Sequence, residues 1–208
     1  AEDPVHFSED DEFGRYWHVT KFNDIMAVDK NHHLFSSESG ITVGPPLNAP
    51  PERLQTRMFI AMDPPTHDVQ RATVSPVVQP INLAKLEGTI RERAGKILDS
   101  LPVGETFNWV DLVSIELTTQ MLATLFDFPF EERTKLTYWS DLATSTPEIA
   151  GGDTDPEERL AGLSECLETF TRIWHERKDD GVETLDLIRM LQRDPNTANM
   201  VDEPMEYL

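Results

Sequence analysis

From Pro80 onward, apolar residues recur at intervals of three and four. Leu83, Leu86, Ile90, Ala94, Ile97, Leu98 and Leu101 form one stripe, with Lys85, Arg91, Arg93 and Lys96 on the polar faces. This is the period of an amphipathic helix, which Pro102 and Gly104 end. The next run, Trp109 to Phe126, is apolar on nearly all sides and predicts a helix buried among others, stopped at Phe128-Pro129. Glu131 to Ala143 returns to one-sided patterning, with Leu136, Trp139 and Leu142 on a common face. Asp155 before Pro156 reads as a helix cap, because proline suits the first helical position and aspartate accepts from a free amide. That helix continues through Leu160, Leu163, Leu167, Phe170 and Trp174. A last helix, capped by Thr184, runs through Leu185, Ile188 and Leu191 to Asp194-Pro195.

The front of the chain is patterned differently. Ala1 to Glu12 is acidic and poor in apolar residues, predicting an extended arm, whereas Tyr16 to Thr20 is short and β-rich, predicting a strand. Lys21 to Asp29 carries Phe22, Ile25, Met26 and Val28 as a brief helical stripe. Asp63-Pro64-Pro65 predicts a helix start with the Asp63 carboxylate accepting from the Thr66 amide; the helix runs toward Ser75, since Pro76 disfavours helical geometry before it. The fold class is therefore mainly α, with a small β element near the N-terminus.

Length and charge narrow the function classes. The 208 residues are enough for a substantial core and fit one domain or a fused pair. The 38 acidic and 18 basic side chains give a net charge of -20, which repels phosphate backbones and anionic lipids, so nucleic acid is not an expected partner. No apolar run reaches the length of a membrane span, and the first residues lack the pattern of a signal peptide, so the expected location is cytoplasmic. A single cysteine, Cys166, excludes an internal disulfide framework and the usual cysteine-based zinc sites. It lies within the Leu163 to Leu167 helical stretch and reads as a small buried hydrophobe.

Candidate chemistry concentrates in one stretch. His67 and Arg71 stand four apart in the helix opened by Asp63-Pro64-Pro65, so an imidazole and a guanidinium share one face. Spacing alone leaves two readings, a solvated face or a paired donor site for one anionic partner carrying carboxylates or phosphates. The adjacent His32 and His33 have no further ligand at a recognisable metal spacing. Gly40 to Pro51 is a loop by its glycines and prolines, yet it holds Ile41, Val43 and Leu47, which either cover their own core or line a substrate wall. The acidic loop Ser145 to Pro156 lacks the ligand order of a calcium loop. The basic stretch from Lys85 to Lys96 is either a solvated face or a docking patch for an acidic electron-transfer partner.

Asp63-Pro64-Pro65-Thr66-His67-Asp68-Val69-Gln70-Arg71 resembles the Asp-Pro-Pro-x-His-x-x-x-Arg motif of the cytochrome P-450 family of haem-thiolate monooxygenases. Phe59-Ile60-Ala61-Met62, Asn108 to Val113, Met121 to Pro129 and Tyr138 to Asp141 resemble its bacterial, soluble subfamily that hydroxylates alkanes at the terminal carbon. The resemblance spans essentially all of residues 1–208 but only the N-terminal half of such an enzyme, a partial domain ending before the distal oxygen-activating helix. It implies that His67 and Arg71 bind the propionates of haem b (iron protoporphyrin IX), and that Ile41, Val43 and Leu47 belong to the substrate-access wall. It also implies an aliphatic substrate, O2, and electrons from a ferredoxin and its reductase.

The same resemblance shows what is missing. The family's axial ligand sits in a Phe-x-x-Gly-x-x-x-Cys-x-Gly loop, which Cys166 and its neighbours do not match. Thiolate ligation is what favours O–O cleavage in this chemistry, so residues 1–208 alone are not expected to be catalytic, and no metal ligand is expected within them. Two readings follow: the front portion of a haem-dependent alkane hydroxylase, or a non-catalytic acidic helical binding module that keeps the scaffold. The coding sequence downstream of Leu208 separates them.

Overall fold

The computed structural model describes residues 3–11, 14–38, 40, 43, 59–144, 155–178, 181–182, 184 and 186–199. Helices dominate, and the described strands form one small antiparallel pair. The chain divides into two compact units, residues 1–71 with 202–208, and residues 72–201.

In the first unit, β1 (Val5–Asp10) pairs with β2 (Gly14–Val19) in a register that sets His6 opposite His18 and Phe7 opposite Trp17. Within the acidic segment read as an extended arm, Val5–Asp10 is thus a strand paired with β2. Its Val5-His6-Phe7-Ser8 alternation has a period of two, but the apolar members face outward and the polar ones are half-buried, which hides the pattern from a search for a buried apolar face. Helix α1 (Phe22–Asp29) follows as its stripe predicts.

Helix α2 (Thr66–Val74) crosses the division between the units. It begins at Thr66, so both prolines precede the helix rather than occupying its first turn; the peptide between them is cis. The Asp63 carboxylate is not its cap. It accepts from the Ser37 amide at 2.9 Å, while the Asp63 carbonyl accepts from the His67 amide at 3.2 Å.

The second unit holds the core. Helix α3 (Pro80–Asp99) ends earlier than the stripe through Leu101 predicts, because the Ser100 amide closes the last turn on the carbonyls of Lys96 and Ile97. A π-helical segment, Val110–Ile115, then leads into α4 (Glu116–Leu125). Helix α5 (Thr134–Thr144) buries Leu136, Trp139 and Leu142, the face read from the sequence. Helix α6 (Pro156–Arg177) is capped by Asp155, whose carboxylate accepts from the Glu157 amide at 3.0 Å. Helix α7 (Leu187–Arg193) is capped by Asp186 rather than Thr184. The Asp186 carboxylate accepts from the Arg189 amide at 2.9 Å, and the Thr184 hydroxyl donates to that same carboxylate.

Ala123, Phe128, Leu136, Trp139, Ile173, Trp174 and Ile188 form one cluster, with Phe126, Cys166 and Phe170 packed against it. Helix α5 lies close to α6 at Gly162, where an added Cβ would stand 2.1 Å from Leu142 Cδ1. Beneath the cluster, Arg189 reaches the carboxylates of Asp127 at 2.8 Å and Asp186 at 2.9 Å. Arg177 donates to the Phe126 carbonyl at 2.7 Å and to the Asp127 carbonyl. Asp127 needs that support, since its φ of 49° lies in the left-handed region. Burial acts to raise the Asp186 carboxyl, but the Arg189 amide, Thr184 hydroxyl and Arg189 guanidinium outweigh it and hold it below the usual carboxylate range.

The run from Trp109 to Phe126 is buried only in its second half. Thr119 and Ala123 are buried, while Trp109, Val110, Leu112 and Ile115 remain exposed. An apolar run states that a surface would gain from cover; whether cover is present depends on which other elements are packed there.

Candidate functional site

Helix α2 places His67 and Arg71 one turn apart on the same face. His67 is half-buried and Arg71 is exposed, both within the first unit. His67 Nδ1 lies 2.9 Å from Asp68 Oδ1. A carboxylate can only accept in this contact, so Nδ1 carries the proton and a second donation, through Nε2, requires the doubly protonated ring.

Upstream, the Ser36 hydroxyl and the Ser37 amide hold the Asp63 carboxyl below its ordinary value. The conspicuous Asp-Pro-Pro signal therefore fixes the approach to α2, while the donors come from the next turn of chain.

The wall residues are distributed unevenly. Val43 is described and exposed, whereas Ile41 and Leu47 lie outside the described residues. Unforeseen from sequence was an apolar cleft of about 710 Å³ between the hairpin and α1, lined chiefly by Val5, Trp17, Val19, Ala27, Val28 and Phe35. The outward alternation of β1 and β2 was the signal for it.

The basic stretch of α3 resolves into local pairs. Arg91 meets Glu87 at 3.0 Å, Lys96 meets Glu92 at 2.6 Å, and Lys85 donates to Asn82 at 2.9 Å. Arg93 turns to α4, donating to Thr124 Oγ1 at 2.6 Å and to the Gln120 carbonyl at 2.5 Å.

No protein-family model matches the chain. Among solved structures, cytochrome P450-153 from Novosphingobium aromaticivorans superposes with a TM-score of 0.83 at 42% identity, covering 99% of this chain and 50% of that one. Steroid C26-monooxygenase of Mycobacterium tuberculosis is 30% identical over 153 residues, 72% of this chain and 35% of that protein.

The chain belongs to the cytochrome P450 family. Linalool 8-monooxygenase of Pseudomonas putida, 30% identical over 177 residues, covers 76% of this chain, which in turn spans 39% of that enzyme. The chain thus spans between about a third and a half of the length of the relatives it matches. The named curated relatives are monooxygenases, and membership of the P450 family implies haem.

The residues present fit one part of that group and not another. An imidazole and a guanidinium one turn apart on a helix suit the two carboxylates at the edge of a haem. Cys166 does not suit the iron. Its thiol is half-buried within α6, and burial, with a smaller effect of the Glu165 carboxylate, pushes it up to about 11, so the thiolate is suppressed. Among the described residues, no three His, Cys, Asp or Glu side chains gather as a metal site, and no helix is long and apolar enough to cross a membrane.

Proposed function

We propose that this chain is the propionate-binding portion of a cytoplasmic cytochrome P450 that hydroxylates medium-chain alkanes or related aliphatic chains at the terminal carbon, taking electrons from a ferredoxin and its reductase. The observation that carries this reading is the pair His67 and Arg71 one turn apart on α2, within a chain 42% identical to cytochrome P450-153. Bound haem supplies the oxygen-activating redox chemistry, and the role of this chain is to hold and orient the group.

Arg71 donates a charge-assisted bond to one propionate, a class of bond worth about 1.5–3 kcal/mol. His67, one turn away on the same face, would donate to the propionates alongside it. With Nδ1–H given to Asp68 at 2.9 Å, the ring is oriented with Nε2 outward, and Nε2 donates to the propionate in the doubly protonated imidazolium. The aliphatic side chains of Ile41, Val43 and Leu47 match an alkyl substrate in polarity.

The test is haem retention in the full-length protein. Arg71→Ala is expected to release haem on dilution and dialysis while leaving the fold intact; unchanged occupancy removes the assignment. His67→Gln keeps an N–H donor and should preserve the thiolate-type Soret band of the reduced CO complex, whereas His67→Phe should lower haem affinity. A changed axial ligand set in the Gln variant would defeat the role given to His67. Product analysis with linear alkanes tests the substrate class, and absence of terminal alcohols would overturn it.

A further inference from the structure

We propose that His6 and His18 form a cross-strand site for a divalent transition-metal ion of imidazole preference, a clip on the hairpin separate from the α2 donor pair. The two residues are direct partners in the antiparallel register, and their rings lie nearly parallel with centroids 4.3 Å apart and an interplanar angle of 19°. Directly opposed residues on one face of such a pair carry Cβ atoms only about 4.5–5.5 Å apart. Register therefore holds both imidazoles together without any contribution from a loop.

Each ring also has an outer partner that directs it. His6 Nδ1 lies 3.3 Å from the Asp3 carbonyl, which can only accept, so Nδ1 bears the proton and Nε2 presents a lone pair. His18 Nε2 lies 3.0 Å from the Ser8 hydroxyl; with Nε2–H donating to that oxygen, Nδ1 presents the lone pair. A second nitrogen engaged by a carbonyl or hydroxyl is the arrangement that fixes tautomer and orientation in imidazole metal ligands.

Two nitrogens bound to one tetrahedral zinc, each about 2.0–2.1 Å from it, stand about 3.3–3.4 Å apart. Reaching it requires the rings to turn out of their stack about the side-chain torsions so that both in-plane lone pairs converge on one ion, while the backbone register stays fixed. Tyr16, edge-on to His18 at 4.9 Å, borders the pair on the same face. Both histidines are half-buried, so the site is walled yet open to an ion from solvent. No third His, Cys, Asp or Glu converges there among the described residues, so water completes the coordination. Affinity follows the usual order for nitrogen ligands, with copper(II) tighter than zinc. Because the ion binds across two strands, it stabilises their pairing by mass action.

Zinc titration of the whole chain tests this by calorimetry, by 15N shifts of the histidine rings and by backbone amide exchange. Zinc is expected to shift the His6 and His18 ring nitrogens together and to slow exchange in β1 and β2. His6→Gln and His18→Gln should each lower affinity about tenfold or more, since loss of even an outer partner commonly costs about 10–100-fold. The adjacent His32 and His33, with centroids 4.0 Å apart, are the internal control, and His32→Gln should leave binding unchanged. Loss of binding in His32→Gln with retention in His6→Gln overturns the site. Ring shifts in wild-type protein that omit either His6 or His18 overturn it without any variant.

Discussion

The hairpin with α1 and the corner built by α5, α6 and α7 both carry abundant large apolar side chains, yet those residues have opposite fates. In the corner, Trp139, Ile173, Trp174 and Ile188 are buried to 5% exposure or less. In the first unit no described apolar residue is buried; Trp17 is 65% exposed and Phe22 is 74% exposed. Geometry explains the difference. Three helices present apolar stripes to one another, and each covers the next. A two-stranded sheet and an eight-residue helix have too little surface to enclose anything, so their apolar groups line an open cleft. Apolar content gives the tendency to be covered; the number and size of neighbouring elements decide whether it is satisfied.

The largest expected effect lies in the corner. Trp139→Ala should destabilise the chain by about 3–5 kcal/mol through lost burial and the cavity left behind, while Phe22→Ala should fall within about 0.5 kcal/mol. Denaturant unfolding followed by circular dichroism measures both, and equal losses would break the contrast. Native-state amide exchange sharpens it, since amides of α5 and α6 should be protected well beyond those of α1.

Arg189→Ala should be nearly as damaging, at about 3 kcal/mol, because it removes the hydrogen-bonded guanidinium from the buried Asp186 carboxylate and leaves only Arg177, at 4.0 Å, as a cation facing it among the described residues. The same cluster sets a pH dependence. The folded Asp186 carboxyl lies below its unfolded value of 3.8, so its contribution is fully present above that pH and is lost as pH falls through the folded value. Acid titration of wild type against Asp186→Asn measures this, and parallel curves would contradict it.

Gly162→Ala follows, with overpacking against Leu142 worth about 1–3 kcal/mol, less about 1 kcal/mol from better helix propensity. A higher melting temperature would show that Leu142 moves aside freely. Asp155→Ala is the smallest effect, about 1 kcal/mol for loss of the α6 cap, read from the same unfolding curves.

Legibility followed the range of the interaction. The buried face of α5 and the Asp155 cap are periodic or local signals, and both were visible in the residues. The Asp63 cap was a local signal that a distant group captured, since the Ser37 amide took its carboxylate. At α7 the competition was between neighbours. Asp186 outbid Thr184 because a carboxylate accepts both the Arg189 amide and the Arg189 guanidinium, whereas a hydroxyl cannot meet that charge.

By itself, the sequence determined the helical character of the chain, the spacing that sets His67 and Arg71 on one face, and through the motif around them the family to which the chain belongs. Each is encoded within a turn or two of helix or in contiguous phrases, where backbone geometry relates neighbours without reference to the rest of the molecule. Only the tertiary structure decided that the acidic arm pairs as β1, that His6 faces His18, that Arg189 ties Asp127 to Asp186, and that the front half of the Trp109 to Phe126 run stays exposed. Those outcomes depend on register and on which surfaces meet, and residues far apart in the chain acquire such relations only when the backbone closes them in space.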